Sequence, residues 1–394
     1  MMKIETQSMS RNADLAVRVR KTYRERGADV FTLEADFTAP TGVTILFGAS
    51  GAGKTTLLQC IAGLVTPEAG RIACGEGIWF DAEKRIRHEP AERRLGFVFQ
   101  DLALFPHLTA EENISYGLRR MDSAERAVRV DRILESFRIA HLRRRKPRDI
   151  SGGEQQRVAL ARSLVTEPRV LLLDEPLASL DAEVKAGIVD DLRAWNTARG
   201  IPILYVTHDR EESLALGARM ILLESGRIAA QGSPADVLDA PRRETVARLA
   251  GFENIFDAEI TGTHEANGTM TCLLRGAAAH IVAIGEALSV ALEVPLTRVP
   301  DGQSVRVAIR AGDILLAGAR PEKLSARNVL PGRVEEIART GARVTVRVNC
   351  GGIRFAVHVT PAAVESLKLR IGCETWLIVK SYSCHLVGPA GALD

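Results

Sequence analysis

Short apolar runs recur in the first half of the chain, and each is followed by glycine or polar residues. The runs are Val43–Phe47, Leu95–Phe99, Val170–Leu173, Ile203–Val206 and Met220–Leu223. Stretches with helical periodicity separate them. Uninterrupted apolar strands that alternate with amphipathic helices are typical of a parallel sheet covered on both faces. The pattern therefore predicts an α/β domain whose ligands bind at the carboxyl ends of the strands.

Helical periodicity dominates between about residues 101 and 164, where no buried strand is evident. In one stretch the apolar stripe consists of Val128, Ile133, Leu134 and Phe137. We expect a helical insert here, within an α/β domain that extends over residues 1–245.

The pattern changes after about Pro241 to an alternation of apolar and polar residues. Val305–Ile309 and Ile353–Val359 are examples, and glycine, proline and asparagine turns separate such segments. Alternation of this kind indicates strands with one buried face. We predict an all-β region in two parts, residues 252–320 and 321–394.

The composition is that of an ordinary globular protein, and 394 residues are enough for two or three domains of about 150 residues each. The 52 Lys and Arg residues nearly balance the 49 Asp and Glu residues, and 46% of the chain is hydrophobic. These values exclude wholesale disorder and a general polyanion-binding surface.

The six cysteines have no paired spacing, which argues against a disulfide framework or a zinc site. Residues 1–15 lack the apolar core of a signal peptide, and we expect no membrane-spanning segment.

A glycine-rich segment follows the first apolar run and precedes a helical stretch. Its sequence, Gly48-Ala-Ser-Gly-Ala-Gly-Lys-Thr55, matches the phosphate-binding loop in its strand-loop-helix context. Glycines let backbone N–H groups turn toward phosphates, and the helix N-terminus adds a positive dipole end. Lys54 is expected to reach the β- and γ-phosphates of ATP, and the Thr55 hydroxyl to hold Mg²⁺. The residues predicted to bind the nucleotide here are Gly48, Ala49, Ser50, Gly51, Ala52, Gly53, Lys54, Thr55 and Thr56.

Two carboxylates end the run Val170–Leu173. Asp174 is placed to hold Mg²⁺ at the sheet edge, directly or through water. Glu175 is the candidate general base, because a carboxylate there polarises a water for in-line attack on the γ-phosphorus. With the phosphate-binding loop, this pair predicts a P-loop nucleoside triphosphatase.

A further segment, Ile150-Ser-Gly-Gly-Glu-Gln-Gln-Arg157, lies between the loop and the acidic strand. Together with Gln100, Ser179-Leu-Asp181 and His208, it resembles the motif set of the ABC ATPase family. The resemblance covers about residues 15–240. It implies an α/β P-loop NTPase fold with a helical insert, and a homodimer whose two subunits pack head to tail.

The resemblance also implies a role for each matching residue. Gln100 senses Mg²⁺ and the membrane partner, Asp181 shapes the dimer seam, and His208 contacts the γ-phosphate. A second anion-binding helix N-terminus closes on the γ-phosphate held by the other subunit. The residues of that turn are Ser151, Gly152 and Gly153.

The segment Ile150–Arg157 corresponds to the signature motif of this family, and it departs from the commonest form of that motif at two positions. Ile150 stands in place of Leu, and Glu154 in place of Gln. We expect both changes to be mild, because the glycines and Ser151 still supply the donors. The aromatic residue that stacks on adenine is either Tyr23 or Phe31, since both offer a π face near the loop, and Tyr23 is preferred.

Transport requires separate integral-membrane permease subunits, because the chain has one cassette and no predicted membrane segment. Leu104–Ile114 resembles the segment that importer ATPases place beside the permease, although its apolar residues are also suited to the insert's own core. The basic run Arg143–Arg148 has no interleaved aromatic residues, so we predict a solvated helix face and no nucleic-acid binding. The implied location is peripheral, on the cytoplasmic face of the inner membrane. A periplasmic substrate-binding protein is implied indirectly, through the permease.

The all-β region resembles two OB-like modules. Asn254 to about Gly318 is similar to the accessory barrel of importer ATPases, and Leu324–Val334 with Ile378–Ser383 is similar to the small Mop/TOBE molybdate-binding module. Together with the cassette, this resembles the ATPase subunit of a molybdate importer, with molybdate as a candidate regulatory ligand. A tetrahedral dianion needs several convergent donors. The candidate donors are Ser325, Arg327, Asn328, Lys380, Ser381 and Ser383.

Alternatives remain open at this point. Arg327 and Asn328 either donate to the anion or fix the loop, and the module either binds an anion or only dimerises. The cassette also fits an importer of another solute, such as sulfate, tungstate, iron or a sugar. A function of a different class is a soluble regulatory or storage protein that binds an anion and uses ATP as a switch. Co-purification with a permease, and stimulation by it, separates that class from an importer.

Overall fold

The computed structural model describes residues 14–25, 28–178, 180–239, 241, 243–275, 290–341 and 343–388. The chain divides into two compact units, Met1–Val237 and Leu238–Asp394.

The first unit contains a single sheet of eleven strands among the described residues. The strands are β1 (Leu15–Glu25), β2 (Ala28–Ala39), β3 (Gly42–Phe47), β4 (Ala69–Cys74), β5 (Gly77–Asp81), β6 (Ile86–Arg87), β7 (Leu95–Val98), β8 (Val170–Asp174), β9 (Pro202–Val206), β10 (Arg219–Glu224) and β11 (Arg227–Gly232). The helices are α1 (Lys54–Ala62), α2 (Ala110–Ser115), α3 (Ser123–Ser136), α4 (Gly152–Leu164), α5 (Ala182–Arg199), α6 (Arg210–Leu216) and α7 (Pro234–Leu238).

The five apolar runs form the parallel part of this sheet, in the order β10-β3-β9-β8-β7. β8 and β9 are buried along their whole length, as expected for strands covered on both faces. The predicted parallel α/β sheet is therefore confirmed. Because the strands run in one direction, the loops after β3, β8 and β9 all emerge at the same edge.

An antiparallel layer, β6-β5-β4-β1-β2, extends the sheet through β11, which runs parallel to β2 and antiparallel to β10. These strands are not among the predicted elements. In β1 the residues Leu15, Val17 and Val19 are buried and their neighbours are exposed. β1 pairs with β2 over its whole length, with Leu15 opposite Ala39. Alternation of apolar and polar residues was the available signal for both strands.

The insert is helical, with α2, α3 and α4 inside the predicted segment. On α3 the buried residues are Val130, Ile133 and Leu134, whereas Val128 is 56% exposed. The apolar stripe predicted through Val128 is wrong at that residue, because the spacing i, i+3, i+4 from Val130 is the one that keeps a single helix face. No described helix is both long and apolar enough to cross a bilayer.

The described residues of the second unit form two five-stranded sheets. Its strands are β12 (Asn254–His264), β13 (Thr269–Leu274), β14 (Val290–Pro295), β15 (Ser304–Ile309), β16 (Leu315–Ala317), β17 (Asn328–Thr340), β18 (Arg343–Cys350), β19 (Ile353–Val359), β20 (Glu374–Val379) and β21 (His385–Val387). Two short helices accompany them, α8 (Glu244–Leu249) and α9 (Pro361–Ser366). The predicted all-β character of this region is confirmed.

The two sheets exchange their last strands. The orders are β14-β13-β12-β15-β21 and β16-β20-β17-β18-β19, so β21 completes the earlier sheet and β16 the later one. One apolar core is shared by both sheets. Each half, β12 to β16 and β17 to β21, therefore depends on the other for a complete sheet.

Two asparagines join the halves in the same way. Asn254, at the start of β12, donates to the carbonyl of Ala356 at 2.9 Å and accepts from its N–H at 2.7 Å. Asn328, at the start of β17, makes the same two bonds to Glu293, at 2.9 and 2.7 Å. Both side chains are buried, and each bridges to the third strand of the opposite half. The second unit is thus an internal pair of similar halves.

Candidate functional site

The phosphate-binding loop connects β3 to α1. Gly51 and Gly53 have φ values of 79° and 100°, a region that side chains other than glycine rarely adopt. A Cβ at Gly53 would lie 2.8 Å from the Phe31 ring, so glycine is required there for two reasons. Lys54 begins α1, and its ammonium donates to the carbonyls of Gly48 and Ala49 at 2.8 and 2.9 Å. The loop therefore curls around its own lysine.

An open cavity of about 770 Å³ lies over this loop. Gln100 after β7, Glu175 after β8 and His208 after β9 reach the cavity together with the loop. The residues that line it are Tyr23, Phe31, Gly48, Ala49, Ser50, Gly51, Gly53, Lys54, Thr55, Thr56, Gln100, Glu175 and His208. The structure thus brings together most of the residues predicted to handle the nucleotide.

Asp174 lies at the end of β8 and is only 5% exposed. Burial raises the pKa of its carboxyl group, Glu175 raises it further, and a hydrogen bond from the Thr55 hydroxyl together with nearby Lys54 partly offsets these effects. Burial likewise lowers the pKa of Lys54, against the attraction of Glu175 and Asp174. Charged groups of both signs are therefore held in a desolvated cluster beneath the cavity.

Glu175 has a positive φ of 45°, which is uncommon for a residue other than glycine. Its N–H donates to the carbonyl of Val206 at 3.1 Å, and this bond ties the residue to the neighbouring strand β9. The carboxylate oxygen Oε2 lies 3.4 Å from Nδ1 of His208. This geometry aims the carboxylate toward the cavity and sets it beside the imidazole.

A buried network behind His208 was not predicted. Glu212 of α6 accepts from the Tyr205 hydroxyl at 3.0 Å, the Thr207 hydroxyl at 2.8 Å and Lys185 Nζ at 2.8 Å. Lys185 also donates to Asp209 at 3.2 Å. Of the two neighbours of His208 in the chain, Asp209 is therefore bonded to α5 directly and Thr207 is linked to it through Glu212.

One ammonium, that of Lys185, is shared by the two carboxylates of this network. Burial lowers the pKa of Lys185, but its bonds to Glu212 and Asp209 outweigh that effect, and the net shift is upward. Burial also raises the pKa of the Tyr205 phenol, which keeps it a donor. A glutamate four residues after His208 was the sequence signal, although its partner Lys185 lies on a different helix.

The turn of Ser151, Gly152 and Gly153, called the signature turn below, is capped by side chains of its own helix. Ser151 is the N-cap of α4, and a Cβ at Gly153 would lie 2.5 Å from Val184 in the first turn of α5. Asp181 caps α5 by accepting from the N–H of Val184 at 3.0 Å. Among the described residues, Ser151, Gly152, Gly153 and Asp181 do not line the cavity over the phosphate-binding loop. Ser179, from the same predicted motif as Asp181, lies outside the described residues.

Tyr23 and Phe31, the two candidates for adenine stacking, face each other across β1 and β2. Their ring centroids are 6.4 Å apart at an interplanar angle of 41°. Tyr23 is 40% exposed and has Lys21 Nζ 5.6 Å from its ring centroid. Phe31 also packs on Gly53, and although both rings line the cavity, Tyr23 is the more exposed of the two.

The candidate oxyanion donors lie in the second unit, on two segments that meet at one end of β17 and β20. The register pairs Asn328 with Val379, which brings the loop with Ser325 and Arg327 next to the turn that begins at Lys380. Ser325, Arg327 and Lys380 are exposed. The turn itself holds Ser381 and Ser383.

Two of these candidates differ from the rest in their hydrogen bonds. Asn328 uses both ends of its amide on the Glu293 backbone, which is the role of fixing the loop. Ser381 is 7% exposed, and its hydroxyl has no hydrogen-bond partner among the described residues. A buried hydroxyl without a partner costs free energy, so it marks a place where a ligand or water would be bound.

Two family models match the chain, the ABC transporter model over residues 34–178 and the TOBE domain over residues 324–386. The molybdenum import ATP-binding protein of Rhizobium meliloti is 38% identical over 360 residues, which cover 89% of this chain and 95% of that protein. Its counterpart from Azotobacter vinelandii is 37% identical over 354 residues, covering 89% and 94%. The molybdate/tungstate import ATP-binding protein of Pyrococcus horikoshii is 39% identical over 345 residues, covering 87% and 91%. The similarity therefore extends over both units.

Proposed function

This chain belongs to the ATP-binding subunits of ABC transporters, in the family of the molybdenum import ATP-binding proteins, and from that membership we propose that it hydrolyses ATP to energise molybdate uptake through a separate membrane permease. The observation that carries the ATPase part is the convergence of the phosphate-binding loop, Glu175 and His208 on one cavity. The molybdate part rests on relatives of that name matching the chain from the cassette into the C-terminal module.

In this mechanism Lys54 neutralises charge on the β- and γ-phosphates. Glu175 accepts a proton from the attacking water at its carboxylate. His208, 3.4 Å from that carboxylate, orients it and contacts the γ-phosphate. Gln100 lines the same cavity, where it senses Mg²⁺ and the membrane partner.

The residues present also fit Mg²⁺. Thr55 and Asp174 are joined by a hydrogen bond, and the Gln100 side chain lines the same cavity. Hydroxyl, carboxylate and amide oxygens are the ligands that this ion prefers. When bound, the ion neutralises charge on the phosphate oxygens.

The remaining elements of the proposal concern assembly. Ser151, Gly152 and Gly153 lie away from the cavity of their own chain, so a second copy, packed head to tail, is needed to bring them to the γ-phosphate. Closure of this homodimer on ATP and its reopening after hydrolysis drive the permease between its access states. We place the assembly at the cytoplasmic face of the inner membrane, where a periplasmic binding protein delivers substrate to the permease.

The ATPase proposal is tested with Glu175→Gln and Lys54→Ala. Glu175→Gln is expected to bind ATP normally, to lose about 100-fold or more in turnover, and to accumulate as an ATP-bound dimer. Lys54→Ala is expected to lose nucleotide affinity instead, because the loop loses its only charged phosphate ligand. Turnover close to that of the unmodified protein in Glu175→Gln would remove this residue from the role of base.

We also propose that the C-terminal module binds the transported oxyanion as a regulatory ligand. Ser325, Arg327, Lys380, Ser381 and Ser383 are the proposed donors, and the buried Ser381 hydroxyl is the observation that favours a ligand here. Asn328 fixes the frame around them.

Calorimetric titration of the full chain with molybdate, tungstate and sulfate tests this second proposal. We expect molybdate and tungstate to bind, sulfate to bind more weakly, and Ser381→Ala to weaken binding about tenfold. Arg339→Ala, an exposed position outside the site, is the control. Absence of binding would confine the module to dimerisation and would leave the ATPase proposal intact.

A further inference from the structure

The signature turn carries a negative charge of its own. Glu154, at the third position of α4, accepts the Ser151 hydroxyl and the Ser151 N–H on a single oxygen, Oε2, both at 2.8 Å. The two bonds lower the pKa of Glu154, so the carboxylate is ionised at neutral pH. Two donors of the turn that is proposed to meet the γ-phosphate are thus already bonded to a carboxylate.

A serine hydroxyl has one proton and can donate it to one acceptor at a time. The γ-phosphate must therefore replace Glu154 as the acceptor of the Ser151 hydroxyl, and it must approach an ionised carboxylate to do so. Ser151 and Gly152 are exposed and Glu154 is half-buried, so the charge lies behind the surface that receives the phosphate. Like charges brought together in a closing, partly desolvated interface repel more strongly than in bulk water.

From this geometry we infer that Glu154 is a specificity-determining residue of the ATPase cycle, which opposes dimer closure until the contacts of a full triphosphate outweigh its repulsion. The role differs from simple helix capping, because glutamine caps a helix in the same arrangement without the charge. His141 Nε2 lies 3.5 Å from the other carboxylate oxygen, Oε1. The inference rests on the proposed head-to-tail dimer.

The test is made in full-length Glu175→Gln protein, where blocked turnover allows ATP-dependent dimerisation to be followed by sedimentation. Adding Glu154→Gln is expected to tighten the dimer roughly fivefold in low salt, the size of one partly exposed charge interaction. The gain should shrink in about 0.5 M salt, since screening weakens repulsion but not a helix cap. Adding Glu154→Asp, which keeps the charge, should leave dimerisation near that of the parent.

The matched control is Asp236→Asn. Asp236 accepts the hydroxyl of Ser233 at 2.6 Å, three residues earlier, in the same local arrangement but on the exposed start of α7. It removes one negative charge and is expected to leave dimerisation unchanged. Equal tightening by Asp236→Asn, or no tightening by Glu154→Gln, would overturn the inference. A Glu175→Gln parent that fails to dimerise with ATP would instead refute the proposed function on which the inference rests.

Discussion

Asp174 shows how a single residue is held in a state that costs stability. Its carboxylate is almost fully buried at the end of β8, and its pKa is raised by burial. The folded protein therefore binds the Asp174 proton more tightly than the unfolded chain does. The free energy of unfolding is therefore lowered in full above the raised pKa, and the effect declines below it until it disappears near the ordinary pKa of an aspartate.

Asp174→Asn is accordingly expected to stabilise the nucleotide-free protein at neutral pH by about 1 kcal/mol while abolishing turnover. The gain should shrink as the pH falls below the raised pKa and vanish near the ordinary pKa of an aspartate, where Asp174 is protonated in both the folded and the unfolded chain. Urea unfolding at neutral and at acidic pH measures both effects. Asp190→Asn, at a position whose side chain is 73% exposed, is the control with little change expected. A less stable Asp174→Asn protein at neutral pH would mean that the ionised carboxylate is favoured where it lies.

Most of the nucleotide site could be predicted at this scale, because each residue stands at a fixed place after an apolar strand. Gln100, Glu175 and His208 reach one cavity since β7, β8 and β9 end at one edge. Glu212 and Lys185 could not be paired in advance, because a hydrogen bond between two helices depends on their packing. Ser151 and Glu154 have the spacing of a capping box, so that contact was readable from the sequence.

At the scale of elements, α1 is held at both ends. Its N-terminus carries the phosphate-binding loop, and its last carbonyls meet the guanidinium of Arg93, which is only 2% exposed. Arg93 donates to the carbonyls of Cys60 at 3.0 Å, Ile61 at 2.7 Å and His88 at 3.1 Å. A positive charge at a helix C-terminus also interacts favourably with the helix dipole.

Arg93→Met is expected to lower the free energy of unfolding by about 3 kcal/mol, since it leaves buried carbonyls without donors. The loss in binding free energy for ATP should be smaller than the loss in free energy of unfolding, because Arg93 is remote from the cavity over the loop. Chemical denaturation and nucleotide titration measure the two quantities separately. Arg87→Met, at an exposed position in β6, should change neither. Equal stability of the two variants would show that water satisfies those carbonyls.

Elements were predictable where a local pattern decides them. The buried parallel strands follow from uninterrupted apolar runs, and α3 from its helical spacing, although Val128 was assigned to the wrong face. β1 and β2 carry a period-two pattern, which is the local signal for a strand with one buried face. The exchange of β16 and β21 has no local signal, because partner choice in a sheet is decided by distant segments.

At the scale of the whole molecule, the second unit is joined by its two equivalent asparagines. Asn254→Ala and Asn328→Ala are each expected to destabilise this unit by about 2 kcal/mol, because each leaves a buried N–H and carbonyl unpaired. The similar bond lengths at the two sites predict similar losses. Thermal unfolding of the full chain, followed with a probe in the second unit, measures them.

Asn267→Ala, at an exposed turn of the same unit, is the matched control and should have little effect. Markedly unequal losses at Asn254 and Asn328 would contradict the equivalence of the two halves. Loss of stability in the first unit as well would show that the asparagines act beyond the sheets they join.

The strand exchange also has a consequence for synthesis on the ribosome. β15 is made early in the second unit, but its partner β21 is among its last segments, and until then one side of β15 lacks its native partner. The first half therefore cannot reach its final form as it emerges, although the first unit can already have folded. Completion of the second unit is expected to be a single late event that waits for β21 to leave the ribosome, and an interrupted translation product that lacks β21 would present an open strand edge prone to mispairing.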